Sequence, residues 1–147
     1  QRDLMQYYID TSIWLNLFKK EGDPSKGTPF WLLAKEFVER VMFSTGDEII
    51  YSGIVLRELQ IKLAAATFEE KRRWFSEEPK LVKVDVVHDD KIEARKLEST
   101  YQFDISFYDL LHLVLVKRLG LTLVTRDRQL LEVARENGVR TGRPEDL

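Results

Sequence analysis

The chain has 147 residues, 44% of them apolar, and carries 23 Lys and Arg against 25 Asp and Glu. That length and apolar share suit a single domain, residues 1–147, with a real core. A net charge of −2 excludes the strongly basic domain that holds nucleic acid by charge alone, and the lack of cysteine excludes disulfides, thiolate zinc sites, iron–sulfur clusters and cysteine nucleophiles.

Tyr7, Tyr8 and Ile9 read as a strand ending at Asp10, followed by a helix over residues 12–18. Residues 21–28, with Gly22, Pro24 and Gly27, read as a loop. Pro29 opens the next helix, where its missing N–H is no loss; Leu33, Phe37 and Val41 carry that helix to about Phe43, and Gly46 closes it. Residues 48–51 form a second strand, and Ser52 is expected to cap a helix running through Ala66. Thr67 and Glu70 have capping-box spacing and predict a new helix that ends before Pro79. Residues 81–87 alternate like a strand. Asp89 or Asp90 caps a helix to about Tyr101, and residues 105–119 form another, stopped by Gly120. Residues 121–124 are a strand, Thr125 or Asp127 caps the last helix, Gly138 ends it, and Val139 and Arg140 form a final short strand. Strands alternating with helices predict an α/β fold, a three-layer sandwich around a mainly parallel sheet. Ligands in such sheets bind beyond the carboxyl ends of the strands, which directs attention to Asp10 and to residues 125–127.

The apolar run of residues 110–116 is interrupted by His112 and ends at Lys117 and Arg118. It falls short of the ~20 residues a membrane span needs. The amino terminus has no basic segment leading into an apolar one, so no signal peptide is expected and a cytosolic, reducing compartment is. Because the chain starts on Gln1, the first residues read as an addition and Met5 as a natural start.

Four acids stand out. Asp10 and Asp127 follow strands, where each alone reads equally as a helix cap. Asp109 lies on a helical face with Ile105, Leu113 and Val116, where an unpaired carboxylate is costly. Glu58 lies among Ile54, Val55 and Leu59, with Lys62 four residues on as an ordinary surface partner. If the sheet gathers all four, they cannot all be ionised without a cation. With only His88 and His112 and no cysteine, the oxygen ligands point to Mg²⁺ or Mn²⁺. Phosphodiester hydrolysis is the natural chemistry of such a site.

These residues are also where the chain resembles a known family. Residues 9–12 (Ile-Asp-Thr-Ser), Glu58 within residues 52–59, residues 107–113 around Asp109 and His112, and residues 123–127 ending in Asp127 are similar to the motifs of PIN domains. The closer likeness is to the VapC-like toxin ribonucleases of toxin–antitoxin pairs. The similarity runs from about Tyr7 to Leu147, and residues 144–147 look like a PIN terminus. Leu110 departs from the pattern, where Ala is common, and Leu111 and Leu113 are bulky as well. The resemblance implies an α/β/α sandwich and one or two Mg²⁺ or Mn²⁺ ions held by Asp10, Glu58, Asp109 and Asp127. It further implies an RNA substrate, a homodimer and a cognate antitoxin protein whose peptide would enter the acid cluster.

Thr11, Ser12 and Thr125 either support an acid or a metal-bound water, or, for Ser12 and Thr125, cap helices. His112 is expected to position or pack more than to ligate. Arg126 and Arg128 are candidates for RNA phosphates, whereas Lys71, Arg72 and Arg73 read as a solvated face paired with Glu69 and Glu70. Trp14 and Trp31 suit the core or a dimer contact, and Trp74 a partner surface. Three other readings compete: a phosphatase or phosphotransferase with Asp10 as nucleophile, a PIN nuclease of RNA processing with no antitoxin, and a non-catalytic module. The first is disfavoured by Ser12, where a haloacid-dehalogenase phosphatase has a second Asp. Setting the four acids aside leaves 21 acidic against 23 basic residues, or +2 for the rest of the chain, which suits an RNA enzyme dependent on its metal.

Overall fold

The computed structural model describes residues 4–147. The reading of the residues before Met5 as an addition therefore falls largely outside it. Among the described residues there are five strands: β1 (Gln6–Ile9), β2 (Glu48–Ser52), β3 (Leu81–Val84), β4 (Thr122–Val124) and β5 (Thr141–Gly142). Seven α-helices connect them: α1 (Thr11–Phe18), α2 (Phe30–Phe43), α3 (Gly53–Lys62), α4 (Ala65–Glu77), α5 (His88–Thr100), α6 (Phe107–Leu119) and α7 (Arg128–Glu136). The strands form one parallel sheet in the order β3-β2-β1-β4-β5. Right-handed crossovers put α1–α4 on one face and α5–α7 on the other, giving the expected α/β/α sandwich. Among the described residues no helix is long and apolar enough to cross a membrane.

The central strand shows how the pleat builds both layers. Tyr7, Tyr8 and Ile9 are all buried, because a middle strand of a doubly covered sheet has no wet face. Tyr7 meets Phe37 of α2 edge-on at 5.0 Å, while the next residue, Tyr8, points the other way to His112 of α6. On the α1–α4 face, Trp14, Tyr51 and Phe75 form an aromatic cluster, with Trp74 and Phe18 at its margin. Trp14 is thus core, and Trp74 is partly buried against it. On the opposite face, α6 buries every residue from Leu110 to Val116. The bulky Leu110, Leu111 and Leu113 are accommodated there, all within 3% of full burial. The lower layer is tied by Arg118 of α6, which donates to both carboxylate oxygens of buried Asp90 at 2.8 and 3.0 Å.

Several boundaries differ from the sequence reading. The helix after β2 stops at Lys62, not Ala66; Leu63 turns extended and α4 begins at Ala65. Thr67 consequently lies inside the first turn of α4 and caps nothing. The run of three alanines is helix-favourable throughout and hides the break. Ser52 stands at the head of α3 but spends its hydroxyl on Tyr8, not on the helix. Asp90 acts from the third position of α5, accepting from the Val87 amide, so neither Asp89 nor Asp90 is the first capping residue. Strand β3 ends at Val84, α6 begins at Phe107 behind a Ser106 cap, and β5 falls at Thr141–Gly142, not at Val139 and Arg140. Pro29 precedes α2 and does not start it. The loop over residues 21–28 contains one 3-10 turn, Pro24–Lys26, and is pinned by the Trp31 amide on the Glu21 carbonyl at 2.9 Å.

Candidate active site

The strand order reverses between β1 and β4, and this is the point in such sheets where a crevice opens at the carboxyl ends. A cleft of about 600 Å³ lies there, and Asp10, Glu58, Asp109 and Asp127 all line it, together with Thr11 and Ser12. Asp10 leaves β1 at the centre of the sheet, its amide held by the Val124 carbonyl at 2.9 Å. It occupies the capping position of α1 without capping it. Its Oδ2 instead accepts from Ser12 Oγ at 2.8 Å and from Thr125 Oγ1 at 3.0 Å. Oδ1 accepts no hydrogen bond among the described residues, so the carboxylate is fixed in orientation with one oxygen to spare.

Glu58 is held by a longer relay. Its Oε1 accepts from Thr11 Oγ1 at 2.9 Å and lies 2.7 Å from His112 Nε2. His112 is fully buried; its Nδ1 lies 2.6 Å from the Tyr8 hydroxyl, which in turn lies 2.7 Å from Ser52 Oγ. The relay joins α1, α3, α6, β1 and β2 through buried and, at Glu58, half-buried polar atoms, each with a partner. Burial opposes a charge on His112, but the hydrogen bond to Glu58 and the negative fields of Asp10, Glu58 and Asp109 outweigh it and raise its pKa. Burial likewise lifts Glu58, and the bonds from His112 and Thr11 with the His112 charge bring it below the usual carboxylate range. An imidazolium donating from both nitrogens fits this pairing. The Glu58–Lys62 surface pair is not formed; Lys62 acts on Glu58 only as a nearby charge.

Asp109 is half-buried and pushed up to about 6, first by burial and then by the negative charge of Asp10, with Asp127 adding to it. Asp127 is exposed and does cap α7, its Oδ1 accepting from the Leu130 amide at 3.0 Å, while its own amide donates to Thr125 Oγ1 at 3.2 Å. Thr125 thus joins Asp10 to Asp127. The donor set is all oxygen, and its mutual repulsion is the condition a hard dication relieves. Among the described residues no three acidic or histidine side chains stand close enough together to hold an ion as they are placed, so an ion would have to draw the carboxylates in.

The two arginines differ. Arg126 lines the cleft, but both terminal nitrogens donate to Glu145 at 2.8 Å and its guanidinium lies 4.2 Å from the Phe30 ring centre. It is engaged within the chain, whereas Arg128 is exposed at the head of α7. Sequence reading gave Tyr8, Ser52 and Glu145 no part in the site, taking Tyr8 only as strand and Ser52 only as a helix cap. Of these only Tyr8 carried a signal, since a tyrosine inside a fully apolar strand needs a partner for its hydroxyl.

A family profile described as PIN domain matches residues 7–136. The chain belongs to the PIN domain family. No curated protein sequence matches it. Among solved structures, this PIN domain is similar to VapBC2 from Rickettsia felis bound to a DNA fragment from its promoter, at a TM-score of 0.66 and 19% identity over 95% of this chain and 98% of that one. It is similar to VapC20 from Mycobacterium tuberculosis, a toxin that cleaves the sarcin–ricin loop, at a TM-score of 0.66 and 19% identity over 86% and 94%. DNA-bound VapBC from Salmonella typhimurium aligns at a TM-score of 0.65 and 18% identity over 96% and 99%. At these identities the likeness is one of fold. This PIN domain shares nearly its whole length with each of them.

Proposed function

We propose that this PIN domain is a metal-dependent endoribonuclease, the toxin of a toxin–antitoxin pair acting in the cytosol. The observation that carries the reading is one cleft at the strand-order reversal lined by Asp10, Glu58, Asp109 and Asp127. The structural likeness to VapC20 and to VapBC complexes supports the substrate and partner classes. Asp10, Glu58, Asp109 and Asp127 would hold Mg²⁺ or Mn²⁺. The chemistry such an ion would supply there is polarisation of the scissile phosphate, activation of a water and stabilisation of the leaving oxygen.

The chain's own residues prepare the site. Ser12 and Thr125 fix Asp10 through one oxygen and leave the other free. Thr11 and His112 fix Glu58, and their hydrogen bonds with the His112 charge hold its carboxyl below the usual range. Burial and the Asp10 charge make Asp109 hold its proton more tightly than an ordinary carboxyl, an effect a bound dication would offset.

The decisive experiment uses Asp10→Asn, which keeps the side chain's size. The wild-type chain with Mn²⁺ should cut single-stranded RNA, chelator should abolish cutting, and Asp10→Asn should lose at least ~100-fold in rate, on the scale of removing one charged catalytic group, with its melting transition retained. Full activity in that variant, or in excess chelator, overturns the reading. Growth arrest on expression, absent in Asp10→Asn and relieved by a protein encoded beside the gene, would distinguish the toxin from an RNA-processing nuclease.

A further inference from the structure

The carboxylate cleft repels the polymer it is proposed to cut, so positive charge must hold the strand from nearby. A second groove of about 560 Å³ adjoins the cleft and shares Ile54, Arg57 and Tyr108 with it. It lies beyond the carboxyl end of β3, between the first turns of α3 and α6 and the exposed side of α5. Four cations line it, Arg57, Lys83, Lys91 and Arg95, against one carboxylate, Asp85. Arg57, Lys83 and Lys91 are exposed, and none of them forms an ion pair among the described residues. Arg95 pairs with Glu98 at 3.0 Å and lies 3.8 Å from the centre of the Phe107 ring. Tyr108, 48% exposed, stands at the junction of groove and cleft, next in sequence to Asp109 and edge-on to Phe107 at 5.6 Å. The groove between α1, α2 and α4 also has lysines, but there Lys35 pairs with Glu39, Lys71 with Glu70, and Lys20 lies over the Trp31 ring.

We propose that the Arg57–Lys83–Lys91 groove is the track for the single-stranded RNA flanking the scissile phosphate, with a base stacked on Tyr108 where the strand turns into the cleft. The inference rests on the nuclease reading and adds where the substrate lies. Unpaired cations beside an exposed aromatic ring form the pairing that binds single strands: the charges follow the phosphates, and the ring accepts any base face. Continuity with the carboxylates favours a nucleic acid over a separate ligand, because one polymer fills both. Tyr108 is then a specificity-determining residue, since it meets the base next to the cut.

The test uses the full chain carrying Asp10→Asn, so that RNA survives, and a fluorescein-labelled 12-nucleotide single-stranded RNA of mixed sequence. Fluorescence anisotropy across a salt series should show Lys83→Glu/Lys91→Glu weakening binding about tenfold or more. The slope of log K against log salt should fall by about 1.4, the share of two single-strand phosphate contacts. Tyr108→Ala should weaken binding about tenfold and leave the slope unchanged. Lys83→Gln/Lys91→Gln should fall between wild type and the reversal, which guards against a charge-reversed variant that misfolds. Unchanged affinity and slope in the lysine variants overturn the proposal. So does equal affinity for a duplex of the same length, or a changed oligomeric state by light scattering with RNA binding intact, which would make the groove an interface between copies. The two readings fail separately. If the groove variants lose binding but the wild-type chain with Mn²⁺ never cuts RNA, the nuclease reading falls and the track stands. If Lys83→Glu/Lys91→Glu with Asp10 intact cuts the 12-mer with unchanged kcat/KM, the track falls and the nuclease stands.

Discussion

Asp109 and Glu58 show how neighbours set opposite behaviour in two carboxyls of one cleft. Asp109 is lifted by burial and by Asp10, whereas Glu58 is pulled down by His112 and Thr11. For Asp109 the folded chain keeps a proton that the unfolded chain has shed between 3.8 and about 6. Its contribution to stability therefore falls as pH rises through that window and stays low above it. Asp109→Asn should remove that fall, so the difference between variant and wild-type melting temperatures should grow in the variant's favour from pH 4 to pH 7. Adding Mn²⁺ at pH 7 should raise the wild-type melting temperature and narrow the gap, as binding to the folded state alone does. His112 has the same sign in a higher window: its stabilising charge is fully present below the unfolded value of 6.5 and is lost as pH rises through its raised folded value. Tyr8→Phe would strip a hydroxyl that lies between His112 and Ser52, both fully buried, and should cost about 1–3 kcal/mol in denaturant unfolding.

At the scale of elements, α7 separates two roles that one residue combines. Asp127 both caps α7 and lines the cleft. Asp127→Asn keeps a capping oxygen and removes the charge, so it should lower activity while leaving the melting transition near wild type. Asp127→Ala should lower activity and also lose about 1 kcal/mol of stability. A second test lies at the end of α6, where Gly120 has φ 66° and open space around the position of a side chain. Gly120→Ala should cost about 1 kcal/mol from the left-handed backbone alone. Gly120 was legible in the sequence for this reason, as were Gly46 and Gly138, each of which follows a helix at positive φ. Elements bounded by glycine, proline or a change of periodicity could be read directly. The α3–α4 break could not, because residues 64–66 are all alanine and nothing local disfavours helix there. The same distinction governs the site. Asp10, Glu58, Asp109 and Asp127 were visible as acids at strand ends or on apolar faces. The Arg126–Glu145 clamp joins residues 19 apart, with α7 and β5 between them, and left no local pattern.

For the molecule as a whole, the cleft is assembled from both helical layers as well as the sheet. Asp10 and Asp127 come from the sheet's carboxyl edge, Glu58 from the α1–α4 layer and Asp109 from the α5–α7 layer. Its geometry is therefore a property of layer packing, and the His112–Tyr8–Ser52 relay is the polar contact that runs through the middle of it. With β1 flanked by β2 and β4, and those in turn by β3 and β5, the outer strands can fray without disturbing the centre. In hydrogen–deuterium exchange the Asp10 amide, bonded to the Val124 carbonyl, should be among the last to take up deuterium, with the amides of β5 and of residues 21–28 well ahead of it. An isotope label would thus persist longest beside the carboxylate on which the proposed chemistry depends, and local opening at the rim would leave that carboxylate in register.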